Sequence, residues 1–335
     1  MTNISQIIEE MDLVGNPSDH RIVVAMSGGV DSSVTAALLV EAGFDVVGLT
    51  MQLYDYGKTV QKKGACCAGS DINDARLVSS KLGIPHYVLD YESVFHDQVI
   101  NDFADTYLRG ETPIPCVRCN QSVKFTDMFT RAKNLGASAM ATGHYIRRKK
   151  NQGVTSLYTG LDPLKDQSYF LFATTKKQLD FVRFPLGSLT KDETRSVAKR
   201  YDLNVAEKPD SQDICFVPEG KYADIVRKLR PGSINKGNII DIDGNILGKH
   251  NGIIDFTIGQ RKGIGIGGRK GVHNNSVLYV IALDTEKNNV IVGSRDYLSC
   301  VNIKISDCNW IVEPPKQSEF KVYVKLRNSS PPVIG

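Results

Sequence analysis

The chain has 335 residues, which is too long for one ordinary hydrophobic core, so two or three domains are expected. An apolar content of 41% and a charged content of 23% are typical of a globular protein, and no apolar stretch approaches the roughly 20 residues that span a bilayer. The formal charge of +4 permits an RNA partner, and the acidic N-terminus excludes a signal peptide, so we expect a cytoplasmic protein with no membrane partner.

The first two predicted elements flank a glycine loop. Residues 21–26 (RIVVAM) are typical of a buried parallel strand, and residues 34–39 are typical of a helix with one buried face. The loop between them, at 26–33, reads MSGGVDSS. Its two glycines allow a sharp turn, and its amides and the helix start can face an anion. We interpret it as a phosphate-binding loop for ATP; an ordinary strand–helix connection is the alternative.

Two other glycine motifs do not support a different nucleotide site. Gly57-Lys58-Thr59 has the end of a kinase-type P-loop, but Gln52 stands where that loop needs its first glycine. Gly263, Gly265 and Gly268 have dinucleotide-binding spacing, but a strand rather than a helix is predicted after them. Without a P-loop lysine, we favour reaction at the α-phosphate of ATP, with pyrophosphate as the leaving group.

Strand-like and helix-like segments alternate up to about residue 143, which predicts a doubly wound parallel sheet in an α/β domain. The further predicted strands are 46–53, 87–90 and 139–142, and the predicted helices are 74–82, 95–108 and 124–135. Ligands of such sheets bind beyond the carboxyl ends of the strands. We therefore expect the glycine loop, Met51 and Gly143 to meet at one edge.

The pattern of predicted elements changes after residue 210. Helical patterns run from 176 to 201, and the basic run at 147–150 is interpreted as a solvated turn. Beyond 210, glycine-rich turns separate predicted strands at 238–242, 253–258, 277–283, 289–293, 301–305 and 320–326. We predict an ATP-binding catalytic domain at 1–210, a small mixed central domain at 211–275, and a C-terminal β-barrel at 276–335.

The cysteines allow four interpretations. They can be buried structural residues, or Cys66, Cys67, Cys116 and Cys119 can bind zinc. An iron–sulfur cluster on Cys116, Cys119 and Cys215 is the third hypothesis. The fourth is sulfur transfer through a persulfide, followed by a disulfide between two thiols. An ATP loop favours the fourth, because ATP can activate an oxygen that sulfur then displaces.

The Cys116–Cys119 pair follows a proline-rich loop and is predicted to begin a helix. The helix dipole, with Arg118 and Lys124, is then expected to lower the thiol pKa. Cys215 has polar residues before it and apolar ones after it, as at the edge of a site. Both positions are candidates for reactive thiols.

Seven segments, in order, resemble those of the tRNA-specific 2-thiouridylases, members of the PP-loop ATP pyrophosphatase superfamily. They are 26–33 (MSGGVDSS), 64–76 (GACCAGSDINDAR), 112–125 (TPIPCVRCNQSVKF), 141–145 (ATGHY), 165–171 (KDQSYFL), 210–216 (DSQDICF) and 256–268 (FTIGQRKGIGIGG). The resemblance covers nearly the whole chain. It implies an adenine nucleotide alpha hydrolase-like N-terminal domain and an enzyme that converts the tRNA wobble uridine to 2-thiouridine.

The resemblance also implies cofactors and partners. ATP, with Mg²⁺, would adenylate the C2 oxygen of a uridine that has left the anticodon stack. The residues implied in ATP binding are Ala25, Met26, Ser27, Gly28, Gly29, Val30, Asp31, Ser32, Met51 and Gly143. Cys215 matches the persulfide carrier, loaded by an upstream sulfur-relay protein or cysteine desulfurase. Cys119 matches the nucleophile, and a transient Cys119–Cys215 disulfide is implied.

The same resemblance assigns contacts to tRNA. Ile114, Pro115 and Cys116 would line the target base, although many relatives carry aspartate, suggested as a general acid/base, where this chain has Cys116. The implied tRNA contacts are His144, Lys165, Asp166, Gln167, Arg327 and Asn328. Relatives continue beyond Gly335, so we expect an incomplete barrel with reduced affinity for tRNA.

Three alternative functions are left open. They are an iron–sulfur-dependent tRNA thiolase, an amide-forming ATP pyrophosphatase, and a non-enzymatic tRNA-binding protein. The second would need neither two cysteines nor a β module, and the intact phosphate loop disfavours the third.

Overall fold

A computed structural model describes residues 4–53, 69–210, 214–217, 222–266 and 277–335. The chain divides into two compact units. The first contains residues 1–96, 116–215 and 308–335, and the second contains 97–115 and 216–307. No helix in the described ranges is long and apolar enough to cross a membrane.

A five-stranded parallel sheet forms the centre of the first unit. In chain order its strands are β1 (Arg21–Ala25), β2 (Asp45–Gln52), β3 (His86–Asp90), β4 (Ala139–Ala141) and, after an antiparallel hairpin of β5 (Ile146–Asn151) with β6 (Val154–Thr159), β7 (Val182–Arg183). The order across the sheet is β3-β2-β1-β4-β7. From β1 the chain passes through β2 to β3 on one side, and then crosses to β4 and β7 on the other side of β1. Such sheets bind ligands at this switch point.

Helices cover the sheet of the first unit on both faces, because strand residues alternate between two apolar cores. Ile22 and Val24 of β1 belong to one buried cluster, and Val23 belongs to the other. The helices of this unit are α1 (Ile4–Met11), α2 (Val30–Glu41), α3 (Gly69–Leu82), α4 (Glu92–Phe95), α6 (Pro115–Arg118), α7 (Phe129–Asn134), α8 (Lys176–Leu179) and α9 (Lys191–Arg200). The predicted doubly wound α/β fold is confirmed.

Two helical stretches are wound as π-helices, at His96–Ile100 and Cys119–Met128. The second joins α6 to α7, so the cysteine segment forms one helical run from residue 115 to 134. Such windings are rare and frequently occur at functional sites.

Several local predictions in the first unit need correction. The predicted solvated turn at 147–150 is strand β5, because it pairs along its whole length with β6. The helical pattern at 176–201 contains strand β7, whose Val182 pairs with Met140 of β4. Capping boxes at Thr175 and Thr190 begin the two helices that flank this strand.

The second unit contains helices α5 (Asn101–Leu108) and α10 (Tyr222–Leu229) and a four-stranded sheet. Its strands are β8 (Gly237–Ile240), β9 (Ile246–His250), β10 (Tyr279–Asp284) and β11 (Asn289–Gly293), in the order β10-β11-β8-β9. The predicted strands at 238–242, 277–283 and 289–293 are confirmed. Residues Ile253–Asp255 form a 3-10 helix instead of the predicted strand, because the Asp255 and Phe256 amides donate to the Gly252 and Ile253 carbonyls three residues earlier in the chain.

The C-terminal residues contribute a short antiparallel pair to the first unit, β12 (Tyr323–Val324) with β13 (Val333–Ile334). Residues 301–305, predicted as a strand, form neither helix nor strand. Apolar and polar residues alternate here as in a strand, but this segment pairs with no strand among the described residues. The three functional domains predicted from the sequence stay a prediction.

Candidate active site

The glycine loop leaves β1 and enters α2 through a conformation that requires glycine. Gly28 has φ +72°, and a Cβ on it would overlap the backbone of Asp71 in α3. Gly29 occupies the N-cap position of α2 and makes no side-chain cap. The amides of the first helical turn have no acceptor within the helix, so they can bind an anion.

Serine side chains hold the loop in shape from inside. The Ser27 amide donates to Ser32 Oγ at 3.1 Å, and the Ser33 hydroxyl donates to the Gly29 carbonyl at 2.9 Å. These bonds fold the loop back on the first turn of α2. Part of what holds the loop in shape is therefore supplied by its own serines.

The carboxyl edge of the sheet gathers the predicted nucleotide residues. Ala25 ends β1, Met51 lies near the end of β2, and Gly143 follows β4. A Cβ on Gly143 would lie 2.8 Å from the Asp31 carbonyl carbon, so Gly143 packs directly on the start of α2. The structure confirms that these three segments meet at one edge. Their contact with ATP stays a prediction.

Asp31, in the first turn of α2, is held by two donors that the sequence did not single out. The Tyr145 hydroxyl donates to Asp31 Oδ1 at 2.8 Å, and Lys191 Nζ lies 2.6 Å from the same oxygen. Burial raises the pKa of Tyr145, and Asp31 raises it further, so the phenol remains a donor. Lys191 is only 7% exposed, which makes it a buried cation beside the phosphate loop.

Asp210 is the centre of a second set of ion pairs. Lys191 and Arg195 lie 2.8 and 2.9 Å from its Oδ1, and Lys165 lies 2.8 Å from its Oδ2. Burial alone would raise the pKa of Asp210, but the hydrogen bonds and charges of Lys165 and Lys191 lower it to about 2. Asp210, which is five residues before Cys215 in the sequence, therefore links Lys191 to the predicted tRNA residue Lys165.

Lys208 supplies a further cation, on the other side of the loop. Its Nζ donates to the Gly28 carbonyl at 2.9 Å, to Asp71 Oδ1 at 2.6 Å and to Asp74 Oδ2 at 2.6 Å. Burial alone would lower the pKa of Lys208, but the two carboxylates raise it, so the ammonium stays charged. Sequence analysis missed Lys208, because nothing in its local pattern marks it.

Cys119 differs from its prediction. The predicted helix start at the Cys116–Cys119 pair is confirmed, since the helical run begins at Pro115, but Cys119 itself follows the first turn. It is buried, and burial raises the pKa of its thiol, outweighing the lowering effect of Lys124. The predicted lowering of this pKa is wrong, because the helix dipole acts within the first turn and desolvation opposes the thiolate.

Asn120, the neighbour of Cys119, ties that helix to another predicted motif. It is 4% exposed, and its Nδ2 donates to the Phe170 carbonyl at 3.2 Å. Its Oδ1 is buried and has no hydrogen-bond partner among the described residues. The bond fixes the Cys119 segment against the 165–171 segment.

The remaining candidate thiols lie at the surface. Cys116 and Cys215 are exposed, and Cys116, Cys119 and Cys215 form no disulfide in the described part of the chain. Ile114, also predicted at the target base, is exposed, whereas Pro115 is buried.

Neither metal hypothesis gains support from the geometry. No group of three or more His, Cys, Asp or Glu side chains is arranged to hold a metal ion among residues that the structure describes, which include all three cysteines of the cluster hypothesis. The zinc hypothesis depends on Cys66 and Cys67, which lie outside the described residues.

His144 packs at the carboxyl edge of the sheet between aromatic rings. Its centroid lies 6.3 Å from that of Phe125 and 6.4 Å from that of Phe184. Burial, followed by the charge of Lys124, lowers the pKa of His144 to about 3. Its Nδ1 lies 2.8 Å from Thr142 Oγ1. The ring is therefore neutral at physiological pH and can contact tRNA only as a neutral group.

The 165–167 segment is organised by its own side chains. Asp166 Oδ1 accepts from the amides of Gly160 and Ser168, and Gln167 Oε1 accepts from the Tyr145 amide at 2.9 Å. Lys165 is partly exposed beside Asp210. Asp166 and Gln167 thus shape the turn, and Lys165 is the member that can present charge to a phosphate.

Arg327 and Asn328 are exposed on the turn between β12 and β13. The turn lies beside the 165–171 segment, because Tyr169 donates to the Leu326 carbonyl at 3.3 Å and Lys325 lies 3.9 Å from Asp166. Two sequence segments predicted to contact tRNA are therefore adjacent in the first unit.

Comparison with known families places most of the chain. Residues 20–219 match the family described as tRNA methyl transferase HUP domain, and residues 224–294 match the one described as tRNA methyl transferase PRC-barrel domain.

Individual relatives are more specific. The chain is 57% identical to the tRNA-specific 2-thiouridylase MnmA of Rhodospirillum centenum, over 94% of this chain and 81% of that protein. It is 55% identical to the tRNA-specific 2-thiouridylase MnmA of Parvibaculum lavamentivorans, over 97% of this chain and 82% of that protein. The U34-tRNA thiolase NcsA from Methanococcus maripaludis aligns with a TM-score of 0.41 and 15% identity, over 69% of this chain and 73% of that one, a likeness too low to argue from.

Proposed function

The chain belongs to the tRNA-specific 2-thiouridylase family, and from this premise we propose how its residues use ATP and a persulfide to thiolate the wobble uridine of tRNA. The two matching domain families are described as tRNA methyl transferase domains, whereas the relatives that are 57% and 55% identical to this chain are tRNA-specific 2-thiouridylases. The observation that carries the proposal is the glycine loop at the carboxyl edge, in the same compact unit as Cys119 and Cys215.

The first step is adenylation of the base. The family uses ATP, and we assign its phosphates to the amides of residues 25–32, with Met51 and Gly143 completing the site. The uridine O2 attacks the α-phosphorus, a P–O bond forms to O2, and the bond to pyrophosphate breaks. The first-turn amides of α2 and the positive end of its dipole stabilise the negative charge of the phosphates.

Mg²⁺ is proposed to accompany ATP and to neutralise the pyrophosphate that leaves. Asp31, the carboxylate within the loop, is already bonded to Lys191 and Tyr145. We therefore assign no protein ligand to the ion, and the residues of the loop act through their amides.

The second step replaces the activated oxygen by sulfur. Cys215 carries a persulfide, whose terminal sulfur attacks C2, and AMP leaves with the former O2. Exposure of Cys215 suits this role, because an upstream sulfur-relay protein or cysteine desulfurase has to reach its thiol. The Cys119 thiolate then attacks the inner sulfur, which breaks the S–S bond, leaves sulfur on C2 and forms a Cys119–Cys215 disulfide. An external thiol reduces that disulfide before the next turnover.

A second order of events gives the same products. If Cys119 attacks the persulfide first, hydrogen sulfide is released and attacks C2 itself. Cys119→Ser separates the two routes. A covalent adduct between Cys215 and tRNA accumulates in that variant by the first route, and no adduct forms by the second.

The tRNA surface is proposed to include Lys165 and the adjacent turn with Arg327 and Asn328. Adjacency of the two segments supports this assignment. His144 and Gln167 are proposed to contact the RNA as neutral groups, and Ile114, Pro115 and Cys116 to line the target base.

The decisive experiment is nucleoside mass spectrometry of unmodified tRNA after incubation with the protein, ATP, Mg²⁺, a cysteine desulfurase and L-cysteine, so that persulfide sulfur is supplied to Cys215. We expect 2-thiouridine to form in an ATP-dependent manner with metal-free protein. Formation only after loading with iron and sulfide would replace the persulfide by a cluster. Absence of 2-thiouridine under both conditions would overturn the proposed function.

A further inference from the structure

The 64–76 segment, prominent in the sequence, acquires no role from the proposed chemistry. Its described part begins α3 and contains Asp71 and Asp74, one helical turn apart on the same face. Both carboxylates bond to one cation, Lys208, which lies more than a hundred residues later in the sequence. The two ion pairs therefore join the start of α3 to the segment around Lys208.

Lys208 makes a third bond, to the backbone of the phosphate loop. Its Nζ donates to the Gly28 carbonyl at 2.9 Å, inside the phosphate loop. In a trans peptide the carbonyl of one residue and the amide of the next point in opposite directions. With the Gly28 carbonyl fixed toward Lys208, the Gly29 N–H is fixed toward the other side. Gly29 is the N-cap of α2, where the loop presents its amides.

We propose that Lys208 is a positioning residue of the phosphate loop, held by Asp71 and Asp74, and that it orients the Gly29 amide toward the ATP phosphates. The inference rests on the proposed nucleotide site. Without the bond, the Gly28 peptide can rotate and direct its carbonyl oxygen at the phosphates, where the two negative groups repel each other. Glycine has no side chain to resist that rotation.

Electrostatics explains why two carboxylates hold one lysine. A lysine alone beside the loop would be attracted to the phosphates and abandon the carbonyl. Asp71 and Asp74, each 2.6 Å from Nζ, hold it behind the loop. Asn204 fixes Asp74 in turn, since its Nδ2 donates to Asp74 Oδ1 at 2.9 Å. Lys208 therefore acts on ATP through the backbone and not by contact.

The test compares Lys208→Met with Lys208→Arg and with a matched control. Lys199→Met is the control, because Lys199 pairs with Glu207 at 2.9 Å on the exposed surface of the same region. The dissociation constants of Mg-ATP and of unmodified tRNA are measured by calorimetry on the full chain, together with the unfolding midpoint.

We expect Lys208→Met to weaken ATP binding about tenfold or more and to leave tRNA binding within about twofold of the parent. Lys208→Arg is expected to recover most of the loss, since a guanidinium can bond to the carbonyl and to a carboxylate. Asp71→Asn and Asp74→Asn should each reproduce part of the loss, and Lys199→Met should reproduce none of it.

Two results would overturn the inference. One is parental ATP binding by Lys208→Met. The other is an equal loss of ATP and tRNA binding, which would mark Lys208 as a residue of general stability. If the parent chain itself does not bind ATP, the proposed function fails instead, so the two failures are distinguishable.

Discussion

The proposed phosphate loop and the two cysteines of the proposed sulfur transfer belong to the same unit, but the structure holds them in place to different degrees. The loop is held by hydrogen bonds of its own Ser32 and Ser33 side chains. Two lysines outside it add further bonds, Lys208 to the Gly28 carbonyl and Lys191 to Asp31. Cys119, by contrast, is a buried thiol and Cys215 an exposed one, and no disulfide joins them in the described part of the chain. We infer that the proposed nucleotide half of the site is built in advance. We infer that the sulfur half is completed only when substrate is bound.

The largest expected effect sharpens the cysteine side of this contrast. Cys215→Ser should lower thiolation about a thousandfold or more, because serine cannot carry a persulfide. ATP binding should stay at the parental level, since serine is close to cysteine in size and the proposed role of Cys215 lies in sulfur transfer alone. Mass spectrometry of tRNA nucleosides and ATP calorimetry measure the two properties, and retained thiolation would refute the persulfide role.

The loop side is tested by Gly28→Ala. The new Cβ would collide with the Asp71 backbone, so the loop has to shift, and ATP binding should weaken about 100-fold. Gly83→Ala is the matched control, because Gly83 has φ +67° and nothing within 4 Å of its Cβ position. It carries the same backbone strain without the collision, so ATP binding equal to that of Gly28→Ala would contradict the argument.

Asp210→Asn probes the junction between the two regions. It removes the charge that Lys165, Lys191 and Arg195 share, and we expect thiolation to fall about tenfold. Asp192→Asn removes an exposed charge from the first turn of α9 and should change thiolation little. Single-turnover assays of pyrophosphate release and of 2-thiouridine formation show which step slows. A parental rate in both steps would remove Asp210 from the site.

The smallest expected effect is on pH dependence. The Cys119 thiolate is the attacking form, and burial raises its pKa above the ordinary 9.0. Sulfur transfer in single turnover should therefore keep rising as pH increases through 9, since the reactive fraction is still growing there. Lys124→Met removes a charge that lowers this pKa and should displace the profile to higher pH. A plateau near pH 7 would show that Cys119 ionises easily and is not desolvated when it reacts.

The sequence was a good guide where a pattern repeats locally. Alternation of strand and helix predicted the α/β fold, and the Ser-Gly-Gly turn predicted the loop, because these depend on neighbouring residues. Burial of Cys119 was not predictable from its neighbours in the sequence, since burial depends on which parts of the chain pack together on folding. Lys208 and Lys191 were missed for the same reason: each pairs with a carboxylate more than a hundred residues away, Asp71 for Lys208 and Asp31 for Lys191.

Strand β7 shows a different limit. Its two residues, Val182 and Arg183, lie within a stretch of helical periodicity, and pairing with β4 alone makes them a strand. The capping boxes at Thr175 and Thr190 are the local signal that divides the stretch into two helices, and they can be found in a sequence by their Thr-x-x-Gln and Thr-x-x-Glu spacing.

The neutral ring of His144 has a consequence for how the tRNA surface responds to salt. A contact that carries no charge displaces no counterion from the RNA backbone, whereas each lysine or arginine on a phosphate does. Lys165 and Arg327 should therefore account for the fall in tRNA affinity as the salt concentration rises. The affinity that a His144 contact adds should be independent of salt concentration. Because its pKa is about 3, that share is also constant across the pH range of the cell.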